Sequence, residues 1–311
     1  MSETSQLVVI LGPTASGKSA LGISLAKKLA GEVLVCDSTQ VYRHFDIGTA
    51  KVCLPEQRGI PHYLVDLVDP HEVFTAGDYR RHALIVLDDL QRRGKLPVLT
   101  AGTGLYLRAL LEGLADAPQR SEELRDRLRR RAELRGASYL HRVLARLDPE
   151  AATRIAPRDA QKVIRALEIR LLGRKPVAEI HRAGRRPLEG YCVTKIGLLP
   201  PRPALYERID ARVQTMVAAG WKDEVCRLVS SGVPPDAKPF QFIGYSELRE
   251  HIQGRLALDA AIEQIQQATR QFAKRQITWF RKETGVTWLS TFGDDPAALK
   301  TALEVCESEA R

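Results

Sequence analysis

Leu7-Val8-Val9-Ile10-Leu11-Gly12-Pro13-Thr14-Ala15-Ser16-Gly17-Lys18-Ser19 is the stretch that decides the fold. Its continuous apolar run, Leu7–Leu11, predicts a buried strand of the kind that parallel sheets cover on both faces. Gly12-Pro13 ends the run as a turn, and a helical pattern follows from Lys18 to about Ala30. Between strand and helix, Gly12–Ser19 fits GxxxxGK[ST] at every fixed position. Glycines let successive N–H groups turn inward around phosphate oxygens, and the helix N-terminus adds partial positive charge. Lys18 supplies a mobile cation, and the Ser19 hydroxyl offers a ligand for Mg2+. The loop predicts a phosphorylated ligand held by Gly12, Pro13, Thr14, Ala15, Ser16, Gly17, Lys18 and Ser19. It does not name a reaction.

Working outward, further strands are predicted at Glu32–Cys36, Tyr63–Val68 and Leu96–Thr100. Thr75 with Asp78 three residues on resembles a capping box and opens a helix to Gly94; another helix follows Gly104 and runs to Gly113. Strands alternating with helices imply crossover connections and a mainly parallel sheet, a P-loop NTPase-like α/β fold. Ligands in such sheets bind at the carboxyl ends of the strands. Gly12–Ser19, Asp37–Gln40, Asp69 and Gly102–Thr103 should therefore converge on one crevice. Leu96–Thr100 ends in Ala101-Gly102-Thr103-Gly104, with no acid where a nucleotide hydrolase usually holds its metal. Asp37 is the better placed carboxylate, as metal-linked acid, general base or turn cap.

From Ser121 to Leu172 the strand signal fades. Ser121-Glu122-Glu123-Leu124 opens an Arg-rich helix, and Gly136, Asp148-Pro149 and Ala156-Pro157 punctuate shorter ones. Gly184–Pro187 is expected as a loop and Tyr191–Leu199 as a strand. Helices follow over Pro203–Ala219, Lys222–Ser231, Ser246–Gln253 and Leu258–Lys282, with a last strand at Val286–Ser290. The expected organisation is a catalytic core of residues 1–117 and 191–311, with flanking helices, interrupted by a basic all-helical insert of residues 118–190. Residues 118–190 carry 19 basic and 10 acidic side chains, which accounts for the whole net charge of +9. Charge concentrated in this way suggests a polyanionic partner bound through counterion release. Five scattered cysteines with no CxxC pair, no apolar run near the roughly 18 residues of a membrane span, and a polar N-terminus predict a cytoplasmic enzyme with no membrane role.

Several segments together are far more specific than the phosphate loop. They include Asp37-Ser38-Thr39-Gln40-Val41-Tyr42-Arg43, Asp46-Ile47-Gly48-Thr49-Ala50-Lys51, Gly102-Thr103-Gly104-Leu105-Tyr106, Ile243-Gly244-Tyr245 and Ala268-Thr269-Arg270-Gln271-Phe272-Ala273-Lys274-Arg275-Gln276-Ile277-Thr278-Trp279. With Gly12–Ser19 they resemble the bacterial type of the tRNA dimethylallyltransferase (tRNA isopentenyltransferase) family over about residues 10–282. The resemblance implies transfer of a dimethylallyl group from dimethylallyl pyrophosphate to N6 of the adenosine 3′-adjacent to the anticodon in tRNA. It implies Mg2+ on Ser19, Asp37 as general base, and Thr103 at the reacting centre. Lys18 and Arg275 would neutralise the leaving pyrophosphate. Asp37, Ser38, Thr39, Gln40 and Thr103 would contact the flipped adenosine. Arg125, Gln161, Lys162, Val163, Ile164 and Arg165 would contact the anticodon stem-loop, in the segment that the charge count singles out independently. A monomer is expected. Ala101 stands where the family often has glycine, Gln241-Phe242 where many members carry a basic residue, and Val52-Cys53 where many have Lys-Pro.

Two rivals share the phosphate loop. A P-loop small-molecule kinase explains Gly12–Ser19 and Mg2+ but not a basic insert. A free-adenylate prenyltransferase shares the core chemistry, and the insert argues against it. A non-catalytic RNA-binding module leaves the phosphate loop, Asp37 and Thr103 without a purpose.

Overall fold

The computed structural model describes residues 5–115, 117, 118, 120–182 and 185–309. The chain forms two compact units, one of Met1–Leu110 with Glu189–Arg311 and the other Leu111–Leu188.

The first unit is built on β1 (Ser5–Leu11), β2 (Glu32–Cys36), β3 (His62–Tyr63), β4 (Pro97–Ala101), β5 (Tyr191–Leu198) and β6 (Val286–Leu289). They form one sheet in the order β3-β2-β4-β1-β5-β6, and every pairing is parallel. Leu7–Leu11 lies at the centre with all five side chains fully buried, which accounts for its unbroken apolar run. Val8 and Ile10 pack with Leu21 and Leu25 of α1 (Lys18–Lys28) and Ala302 of α13 (Pro296–Glu309). Helices α2 (Ala76–Arg92) and α3 (Gly104–Leu111) bury Tyr79, Leu87 and Leu107. The capping box at α2 is complete: Asp78 N–H donates to Thr75 Oγ1 at 3.2 Å, and Thr75 N–H donates to Asp78 Oδ2 at 2.8 Å.

The third strand is the main departure from the sequence expectation. Tyr63–Val68 was expected to be extended throughout, but Leu64 (φ 67°) and Asp66 (φ 53°) adopt left-handed backbone that no strand tolerates. Pairing with β2 stops at Tyr63, and Val68 returns only as an isolated bridge to Tyr42. Helix α13 had no expected counterpart.

The second unit contains α4 (Glu122–Arg135), α5 (Ala137–Leu147), α6 (Pro149–Arg154), α7 (Ala160–Gly173) and α8 (Val177–Arg182). Ser121 caps α4 and Asp148 caps α6, as the punctuation suggested. Leu128, Leu140, Leu144, Val163 and Leu167 form its own core. Leu188 N–H donates to Leu111 O at 2.9 Å, so the ends of this unit lie together. Of the loop expected at Gly184–Pro187, Gly184 lies outside the described residues; Arg185 bridges Ala115.

The remaining helices belong to the first unit: α9 (Arg202–Ala218), α10 (Trp221–Ser230), α11 (Tyr245–Ile252) and α12 (Leu258–Phe280), with a short 3-10 turn at Lys238–Gln241.

Candidate active site

The carboxyl ends of β1, β2 and β4 open onto a cavity of about 1090 Å³. Thr14, Ala15, Gly17, Lys18 and Ser19 of the phosphate loop form one wall. Ala15 (φ 61°) and Gly17 (φ 89°) take left-handed backbone at alternate positions, the geometry that curls N–H groups around an anion. A Cβ on Gly17 would lie 2.6 Å from Gly293 N, so only glycine fits there. Lys18 Nζ donates to Pro13 O at 2.7 Å. Burial pushes the Lys18 ammonium down to about 8; the Asp37 carboxylate opposes this and Arg212 adds to it.

Asp37 follows β2 and lines the same cavity. Its Oδ1 accepts the Thr39 N–H at 2.8 Å and the Thr39 hydroxyl at 2.7 Å. Its Oδ2 faces Gly102, where a Cβ would come within 2.6 Å. The β4 end is laced to the β2 end: Gly102 and Thr103 N–H both donate to Cys36 O at 3.0 Å, and Ser38 N–H donates to Thr103 Oγ1 at 3.0 Å. Thr103 in turn donates to Ser38 Oγ at 3.2 Å. Gln40 Nε2 donates to Thr49 O at 3.0 Å, tying it to the loop that contains Gly48 and Lys51. That loop is pinned from below by the buried Glu224, whose carboxylate accepts the N–H groups of Asp46 and Ile47 at 3.1 and 2.8 Å. Cys36 is buried and its thiol is pushed up to about 12 by burial, so it packs rather than reacts. Cys53 is exposed.

Two expected members of the crevice, Asp69 and Arg275, are absent from the cavity lining. Asp69 pairs with Arg43 at 2.9 Å, away from the cavity lining. Arg275 is exposed on α12 with its guanidinium 5.8 Å from the Phe272 ring, and it is absent from the lining. The arginines that line the cavity are Arg58 and, from α9, Arg208 and Arg212. Ala101, where the family often has glycine, is buried within β4.

Gln276 is the residue that the motif reading passed over. Its Oε1 accepts the Thr14 N–H at 2.7 Å and its Nε2 donates to Gly102 O at 2.8 Å. One buried amide thus joins the phosphate loop to the loop beside Asp37. A signal existed: Gln276 sits on the buried stripe Ala273, Gln276, Phe280, where a polar side chain needs a partner. Arg275 is one position off that stripe.

In the second unit, Arg125 and Arg165 are engaged internally. Both donate to the fully buried Glu168, Arg125 through Nε and Nη2 at 2.9 and 2.8 Å, Arg165 through Nη1 at 2.5 Å. Burial alone would raise the Glu168 carboxyl, but the two guanidinium groups and the Ser121 N–H hold it at about 2. Val163 and Ile164 turn their side chains into the helical core. Gln161 and Lys162 are exposed, with Lys162 paired to Asp159 at 2.6 Å. Arg127, Arg130 and Arg131 are exposed on one side of α4 with no ion pair among the described residues. No three His, Cys, Asp or Glu side chains form a metal cluster among the described residues, and no described helix is long and apolar enough to cross a membrane.

With this geometry in place, similarity to known proteins is decisive. The family model described as IPP transferase matches residues 40–283. The chain is 51% identical over 298 residues to a tRNA dimethylallyltransferase of Solibacter usitatus, covering 96% of this chain and 97% of the relative. It is 48% identical over 306 residues to one of Koribacter versatilis, covering 97% and 98%. Among solved structures it is similar to the full-length tRNA isopentenylpyrophosphate transferase of Bacillus halodurans, at 38% identity and TM-score 0.71 over 98% of this chain and 95% of that one. It is also similar to a eukaryotic dimethylallyltransferase acting on tRNA, at 29% identity and TM-score 0.81 over 97% of this chain and 77% of that one. The chain therefore belongs to the tRNA dimethylallyltransferase family.

Proposed function

We propose that this chain is a tRNA prenyltransferase that moves the dimethylallyl group of dimethylallyl pyrophosphate to N6 of the adenosine 3′-adjacent to the anticodon. The observation that carries the reading is Asp37, held through Oδ1 by Thr39 in the cavity that also contains the phosphate loop. In the reaction, N6 attacks the allylic carbon, the carbon–oxygen bond breaks, and pyrophosphate leaves with the bonding pair. Asp37 accepts the N6 proton within hydrogen-bond reach. Lys18, Arg208 and Arg212 neutralise the diphosphate, with Arg212 in the place first assigned to Arg275. Thr103 and Ser38 hold the reacting end. Ile209, Val213 and Phe272 offer apolar wall for the prenyl tail.

The exposed Ser19 hydroxyl at the loop suits Mg2+, a hard cation that keeps several waters and binds through few protein oxygens. Held there, Mg2+ would supply charge neutralisation for the diphosphate. The 111–188 unit is the tRNA-binding insert in this reading, with Arg127, Arg130, Arg131, Gln161 and Lys162 as its contacts. The test offers the purified protein Mg2+ and dimethylallyl pyrophosphate with either an anticodon stem-loop or AMP. Prenylated adenosine in the stem-loop alone is expected. Product on AMP would make it a free-adenylate prenyltransferase, and consumption of ATP without either product would make it a kinase.

A further inference from the structure

Arg208 faces the phosphate loop with a carboxylate already in its grip. Its Nη1 donates to Asp294 Oδ1 at 2.7 Å and its Nη2 to Asp294 Oδ2 at 3.0 Å, a two-pronged pair. Both residues line the cavity together with Gly17 and Lys18. The pair is half-exposed, at 39% for Arg208 and 46% for Asp294, so it can open without a large desolvation change. Asp294 is built against the loop itself: Gly293 N–H donates to Ser16 O at 2.9 Å, and Asp294 Oδ1 lies 2.9 Å from where a Cβ on Gly17 would be. The Phe292 ring lies under the same guanidinium, 4.7 Å from its centre. The Arg208 charge holds the Asp294 carboxyl below the usual carboxylate range.

A guanidinium presents this two-pronged edge to one anion at a time. A diphosphate in the loop and the Asp294 carboxylate therefore compete for Arg208. The competition matters most after transfer, because free pyrophosphate carries more negative charge than its allylic ester and holds the loop cations harder. We propose that Asp294 is an internal competitor for Arg208 that weakens the grip of the loop on diphosphate and speeds departure of pyrophosphate. This rests on the prenyltransferase reading above. It places a second role at the site: Arg208 grips the leaving group, and Asp294 takes the guanidinium back.

The test compares full-length wild type, Asp294→Asn, Arg208→Gln and the double variant with Mg2+ present. Calorimetry measures pyrophosphate binding, and stem-loop prenylation is followed in single and multiple turnover. Asp294→Asn is expected to bind pyrophosphate roughly three- to tenfold tighter, the size of one half-exposed charged interaction. Its ratio of single-turnover to multiple-turnover rate should rise, and in the Arg208→Gln background the tightening should shrink towards nothing. A variant that merely loosened the loop would not bind more tightly. Unchanged or weaker binding in Asp294→Asn overturns the proposal. Equal tightening without Arg208 also overturns it, since Asp294 would then act by plain repulsion. Wild type that neither binds pyrophosphate nor prenylates the stem-loop overturns the functional reading itself, and this proposal with it.

Discussion

At the residue scale, Asp37 and Lys18 carry separable consequences. Asp37→Asn keeps the Thr39 contacts in shape but removes the proton acceptor. Prenylation should fall by about 10²- to 10⁴-fold while tRNA binding holds. Single-turnover rates beside filter binding decide this, and an unchanged rate removes Asp37 from the chemistry. Lys18, pushed down to about 8, must be protonated to hold a diphosphate. The kcat/KM for the prenyl donor should therefore decline as pH rises through about 8. In Lys18→Arg, whose charge persists to much higher pH, that limb should disappear from the profile while the overall value drops. Much of this site was legible from sequence because motif spacing fixes backbone loops: Gly12–Ser19, Asp37–Gln40 and Gly102–Thr103 do meet. Side chains delivered from helices were harder. Which of Arg275, Gln276 or Arg212 points inward depends on how α12 and α9 rotate against the sheet, and motif matching carries no information about rotation.

At the element scale, the sequence expectations hold where one rule dominates. Thr75 and Asp78 cap α2 as predicted because capping is local. The strand after Tyr63 fails because Leu64 and Asp66 look like ordinary strand residues and only tertiary packing forces their left-handed backbone. Helices α4 and α7 are joined by the Glu168 network, which takes up Arg125 and Arg165, whereas Arg127, Arg130 and Arg131 have no ion pair among the described residues. Glu168→Gln leaves two guanidinium groups without their anion and should cost about 3–5 kcal/mol, visible as faster hydrogen exchange across 122–173. The stabilisation from Glu168 is complete above its unfolded value near 4.5 and fades as pH falls towards about 2, so acid should produce the same loosening. Replacing Arg127, Arg130 and Arg131 together by Gln should reduce the slope of log binding constant against log salt by about 2 for a tRNA stem-loop. An unaltered slope would move the RNA surface off α4.

At the scale of the whole molecule, two cores are separately complete. The helical unit buries Leu128, Leu140, Leu144, Val163 and Leu167 among themselves and closes its ends through Leu188 and Leu111. A polypeptide of residues 111–188 alone should therefore unfold cooperatively, with a sigmoidal urea transition followed by circular dichroism. A featureless slope would mean that its core depends on the rest of the chain. The first unit behaves differently, because its central strand β1 gains neighbours from residues 97–101 and 191–198.

The Gln276 strut has a consequence for biosynthesis. Thr14 leaves the ribosome well before its partner amide, which is 262 residues downstream. At ordinary rates of translation the interval is on the order of tens of seconds. Throughout that time the nascent chain displays a phosphate-loop sequence that lacks its brace, and Arg208 and Asp294 arrive late as well. A nascent chain that stops short of Gln276, although surrounded by tRNA, thus has a phosphate loop without its link to the Gly102 loop.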